Sequence, residues 1–159
     1  MANLHRFIPI VHVVAVIFAI IELGLTAYMS SFYRGWYGLG YYSPSQVNFM
    51  IFNSVWSLLV LAYVGLTPLY FANVFHSLAA LALNLITTVF WFAGAIALAV
   101  LVGGPYQCDA NTYCGASEAA VAFGFFLWAL FTFLAALDGI NFLRSRGHDV
   151  SKPQANPGA

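Results

Sequence analysis

Four uninterrupted apolar stretches dominate the chain, running from Phe7 to Met29, Val47 to Thr67, Ser77 to Leu101 and Ala119 to Phe142. A helix rises about 1.5 Å per residue and a bilayer core is about 30 Å thick, so roughly 20 residues span it. Each stretch meets that length. Lipid offers no hydrogen-bond partners to a bare backbone, so each must be helical. The Val- and Ile-rich runs would suit strands if they were short, but their length decides for helices. The expected fold is an all-α membrane protein, a four-transmembrane-helix bundle. Composition agrees: 62% of the 159 residues are hydrophobic and only 6% are charged, against about 25% charged in a soluble domain. A chain this short has no soluble core large enough to hide that much apolar surface.

The breaks between stretches have turn chemistry. The first holds Gly35, Gly38, Gly40 and Pro44, the second centres on Pro68, and the third holds Gly103, Gly104 and Pro105. Residues 1–145 form the membrane domain on this reading. Residues 146–159, polar and carrying Pro153 and Pro157, read as a disordered cytoplasmic tail. The first apolar run exceeds the roughly 7–15 residues of a signal-peptide core, so it reads as a retained span. Neither end carries a lipidation motif.

Orientation follows from the basic residues. Arg6, Arg144, Arg146 and Lys152 flank the first and last spans, whereas the opposite loops hold Arg34 against Asp109 and Glu118. Positive charge favours the cytoplasmic side, which predicts that both termini are cytoplasmic. Cys108 and Cys114 then lie outside or in a lumen, where disulfides persist. Their spacing closes a tight loop beside Gly103-Gly104-Pro105, and a Cys108–Cys114 disulfide is the favoured reading over two free thiols. The spacing is not the Cys-x-x-Cys of a thioredoxin-like site.

The first external loop is aromatic, with Tyr33, Arg34, Trp36, Tyr37, Tyr41 and Tyr42. Rings with polar tips favour the headgroup layer. These residues read as an interfacial belt in which Arg34 reaches lipid phosphate. The alternative is a contact surface for another protein or a second membrane.

Ionisable groups inside a span are costly and therefore functional candidates. In the first span His12, Ala15, Ala19, Glu22 and Thr26 recur at near-helical spacing and make one polar, small-residue stripe, which should face the bundle. Asn53, with Ser57 one turn on, is placed to hydrogen-bond Glu22. Asp138, near the inner end of the fourth span, is placed within reach of His12 or Arg6. Asn84, Thr87, Thr88, Trp91 and Ala95 share a face of the third span. Gly94, Ala95, Gly124, Ala135, Ala136 and Gly139 would let helices approach closely. Glu22 reads first as a protonated acid that joins two helices, with a proton or cation site, or a lipid or partner contact, as alternatives. His12 and His76 could in principle ligate haem or metal, but two histidines in a bundle are common without a cofactor.

The chain has no HExxH, P-loop, GxSxG or dinucleotide fingerprint, and no N-x-[ST] sequon. Its formal net charge is zero, which gives no basic field for nucleic acid. No cofactor, metal site or catalytic residue is expected.

Three segments carry a family resemblance: VNFMIFNSVWSLLVLAYV from Val47 to Val64, LALNLITTVFWFAGAIALA from Leu81 to Ala99, and CGASEAAVAFGFFLWALF from Cys114 to Phe131. With them, residues 5 to 145 resemble the fungal MARVEL-domain proteins, four-span proteins of the non-classical-export and eisosome-associated kind. The resemblance implies cytoplasmic termini, a four-helix bundle, and residence in the plasma membrane or secretory-pathway membranes. It also implies roles in microdomain organisation, vesicle traffic or membrane apposition, and it transfers no catalytic residue.

The leading functional expectation is thus a non-enzymatic, membrane-organising protein whose partners are lipids, copies of itself or other membrane proteins. Hydrophobic length and shape sort such proteins among bilayers. The alternative is a proton-coupled small-molecule transporter or channel subunit using Glu22, since four-span exporters with a first-helix glutamate exist. The other spans offer few pore-lining polar groups and no inverted-repeat symmetry. A membrane enzyme or haem protein using His12 and His76 is the third expectation.

Overall fold

The computed structural model describes residues 4–36, 43–70, 76–103 and 112–150, with side chains over 8–33, 43–67, 76–103 and 112–144. Four helices account for nearly all of these residues: α1 (Leu4–Trp36), α2 (Ser45–Tyr70), α3 (Ser77–Val102) and α4 (Thr112–Val150). Each contains a stretch long and apolar enough to cross a bilayer: Ile8–Tyr33, Ser45–Thr67, Ser77–Val102 and Thr112–Arg144.

The helix ends depart from the sequence expectation in three places. α1 continues past Met29 to Trp36, so Ser31 to Trp36 form its last turns and not a loop. Tertiary contact accounts for this: Phe32 stacks on Tyr113 of α4 at 4.5 Å between ring centres, and the Tyr113 hydroxyl donates to the Tyr33 hydroxyl at 3.0 Å. α2 passes through Pro68 and ends at Tyr70. A proline so close to the end removes one amide donor and leaves little helix beyond it to disrupt. α4 starts before Ala119 and runs beyond Phe142 to Val150, so residues 146–150 are helical, whereas 151–159 lie outside the described residues. At 39 residues α4 is about 58 Å long by helix rise, well beyond the hydrocarbon thickness.

The end of α3 matches its sequence signal. Gly103 caps it with φ 83°, a left-handed conformation that glycine adopts without penalty, and its amide donates to the Ala99 carbonyl at 3.0 Å.

The helices pack as a ring, α1 on α2, α2 on α3, α3 on α4 and α4 on α1, with no close backbone approach of the diagonal pairs among the described residues. The distribution of polarity inverts that of a soluble protein. Val100, Leu59 and Val89 are 75%, 64% and 63% exposed, while Glu22, Asn53 and Thr87 are fully buried. Such a surface is stable only against hydrocarbon, and the polar groups gather where other helices, not lipid, surround them.

Candidate functional site

The candidate site is the polar interior of the ring. α1 turns Ala15, Ala19, Glu22 and Thr26 inward, all fully buried, with His12 half-buried one step below. α2 contributes Asn53, Ser54 and Ser57, all fully buried. α3 contributes Asn84, Thr87, Trp91 and Ala95. α4 presents Ser117, Ala120, Gly124, Leu127 and Phe131, with Asp138 half-buried toward the other end. Of the small residues expected at helix contacts, Ala136 faces outward.

Hydrogen bonds cross the ring at three levels. At one end Tyr113 of α4 meets Tyr33 of α1. At mid-depth the Trp91 indole N–H of α3 donates to Ser57 Oγ of α2 at 2.8 Å, and Ser57 donates in turn to the Asn53 carbonyl at 2.7 Å. Beside it the Trp56 N–H donates to Thr87 Oγ1 at 3.0 Å, and Thr87 donates to the Leu83 carbonyl at 2.7 Å. Toward the other end the Asn84 amide donates to Asp138 Oδ2 at 2.7 Å, joining α3 to α4. His12 lies within electrostatic reach of the same carboxylate, and its Nδ1 pairs with the Ile8 carbonyl at 2.9 Å.

One expected pairing is absent. Glu22 and Asn53 do not hydrogen-bond to each other; both carboxylate oxygens and both amide atoms are buried without a partner. The register gives the reason. A β-carbon on Gly65 would lie 3.8 Å from His12 Cδ2, so these antiparallel helices place residue 12 level with residue 65. Ten residues up α1 and ten back along α2 set Glu22 level with Val55, about 3 Å from the level of Asn53. Each Cα–Cβ bond leans toward its own helix N-terminus, so the two side chains lean apart.

Depth along the spans places Asp138 within reach of His12 or Arg6, but its hydrogen-bond partner is Asn84, which the sequence marks only as part of a shared face of α3. The Trp91–Ser57 and Trp56–Thr87 pairs were also missed, although a buried indole N–H needs an acceptor, and a search for hydroxyls one helix away would have found them. His76 is exposed at the start of α3, whereas His12 is half-buried within α1. Among the described residues no three His, Cys, Asp or Glu side chains gather as metal ligands.

The aromatic belt is only partly described. Tyr33 is half-buried against α4. Arg34 and Trp36 belong to the last turn of α1 by their backbone alone, and Tyr37, Tyr41 and Tyr42 lie outside the described residues. So does Cys108, whereas Cys114 stands in the first turn of α4 and is not a free thiol.

Between α1 and α2 runs an open apolar groove of about 680 Å³, lined by Pro9, Val13, Ile17, Leu61 and Leu66, with His12 on its wall. A family model described as a membrane-associating domain matches residues 6–137. Neither a curated protein nor a solved structure matches the chain.

Proposed function

Because the chain belongs to the MARVEL family of membrane-associating domains, we propose that it is a non-enzymatic membrane-organising protein, acting in microdomain assembly, membrane apposition or vesicle traffic. Its means is lateral packing with copies of itself, other membrane proteins and lipids in the plasma membrane or a secretory-pathway membrane.

One observation carries this reading: the outward surface is shaped and apolar, while the polar groups are turned inward. Phe49, Phe52, Trp56 and Phe90 form a continuous aromatic plate on α2 and α3, with ring centres 5.9–6.4 Å apart, and Phe52 is 51% exposed. The groove between α1 and α2 has the size and lining to seat an acyl chain. Rigid aromatic relief and an apolar groove give a bilayer-embedded surface something to select by shape, where lipid and protein are equally greasy and packing decides association.

The test is self-association of fluorescently labelled full-length protein in native-composition bilayers at low protein-to-lipid ratio, read by energy transfer. Transfer above the random-mixing level, reduced by Phe52→Ala with Phe90→Ala, supports the proposal. Random mixing of the wild-type chain, with no enrichment in any lipid phase, sinks it.

A further inference from the structure

Glu22 sits at the middle of the span Ile8–Tyr33 and is fully buried, with neither carboxylate oxygen hydrogen-bonded. The surrounding chain offers it no counter-charge. α2 and α3 contain no Asp, Glu, Lys or Arg at all. On α1 the basic residues are Arg6 and Arg34, roughly 24 Å and 18 Å from Glu22 along the axis by helix rise. On α4, which also packs on α1, Arg144 and Arg146 lie past Asp138, toward the end that faces the start of α1. Nearest to it along α1 are Tyr28, about 9 Å away and exposed, and His12, about 15 Å away; α2 adds Tyr63 and Tyr70, and α4 adds three acids, Glu118, Asp138 and Asp149, with Tyr113 and His148. An unpaired carboxylate in a dry interior costs more than the whole stability of a domain.

The same layer holds Asn53, also fully buried, with its amide oxygen and nitrogen both unpartnered. Its neighbours are committed: Ser57 is tied to Trp91 and Asn53's own carbonyl, Ser54 bonds the Met50 carbonyl, and Thr26 bonds the Glu22 carbonyl. Glu22 and Asn53 stand on adjacent helices at levels about 3 Å apart by helix rise, and their four side-chain polar atoms are left in the interior with no partner among the described residues. Native interiors satisfy such groups with an ion or water when no side chain does.

We propose that Glu22 and Asn53 form an intramembrane site for one small monovalent cation, a proton or an alkali metal ion. The carboxylate supplies the charge. The Asn53 side-chain oxygen, Oδ1, is the second acceptor, and the bound cation neutralises the acid in the middle of the bundle.

Thermal unfolding of the full chain in nanodiscs tests it. Wild type, Glu22→Gln and Asn53→Leu are compared across pH and in Na⁺, K⁺ or Li⁺ against choline at constant ionic strength. Stabilisation of the wild type by one alkali ion over choline, lost in Glu22→Gln and reduced in Asn53→Leu, identifies a metal ion. Indifference to alkali ions with a Tm that falls as pH rises in the wild type, and a flat profile in Glu22→Gln, identifies a proton. Wild-type stability indifferent to both, or an identical response in Glu22→Gln, overturns the site and leaves only water-filled hydrogen bonding. If Glu22→Gln does not fold, infrared spectra of Glu118→Gln protein with carboxyl-¹³C glutamate, in which Glu22 is the one labelled side chain, and the response of Asn53→Leu decide. An unperturbed ionised-carboxylate band in choline, with no change on adding alkali ions and no effect of Asn53→Leu, overturns it equally.

Discussion

The sulfur of Met50 on α2 occupies the space that a β-carbon on Gly94 of α3 would need: a Cβ built there would sit 2.7 Å from Met50 Sδ. The same side chain is held from its far end, since a Cβ on Gly124 of α4 would sit 3.2 Å from Met50 Cε. Met50 therefore threads between two glycines and links three helices.

Gly94→Ala should destabilise the folded bundle by about 1–3 kcal/mol, the usual cost of overfilling a packed interior. Phe49, whose ring carbons would lie 3.1 Å and 3.3 Å from the new methyl, closes the other escape. Gly24→Ala is the control, because nothing lies within 4 Å of a Cβ there; it should not destabilise. Chemical unfolding in mixed micelles reads both, and Gly94→Ala with Met50→Ala should recover part of the loss if Met50 is the obstacle.

Ser54 and Ser57 are both fully buried on α2, yet they should respond differently to alanine. Ser57 is the acceptor for the Trp91 N–H, so Ser57→Ala strands a buried donor at about 1–3 kcal/mol. Ser54 bonds only the Met50 carbonyl of its own helix, so Ser54→Ala should cost less than about 1 kcal/mol. Equal losses in unfolding measurements would remove the Trp91–Ser57 bond as a stabilising contact.

The Cys108–Cys114 pairing predicts a mass shift of two hydrogens on reduction of the intact protein, with both thiols blocked to alkylation beforehand. Closing so short a loop is worth about 2 kcal/mol in the chain-entropy picture. Reduction, or Cys114→Ser, should lower stability by that order. Two alkylatable thiols in protein isolated under non-reducing conditions would refute the pairing.

Cytoplasmic termini predict which ends a luminal glycosyltransferase reaches. An acceptor sequon inserted between Gly104 and Gln107 should be modified in microsomes, and one appended after Ala159 should not. The reverse pattern would show that Arg6, Arg144, Arg146 and Lys152 do not set the orientation.

The chain's own sequence determined that four helices exist and where most of them run, because length and apolar content leave a bilayer-embedded backbone no other way to satisfy its amides. It also determined which face of α1 turns inward, since Ala15, Ala19, Glu22 and Thr26 recur at helical spacing and all are buried. Only the tertiary structure decided what meets what. Helical periodicity fixes a residue's direction around its own axis but carries no information about the rotation and sliding of a neighbouring helix. Those are set by packing, by Met50 between Gly94 and Gly124 and by Tyr113 against Phe32. A shift of two residues, about 3 Å along an axis, separates a Glu22–Asn53 hydrogen bond from the unpaired groups observed, and gives Asp138 its bond to Asn84.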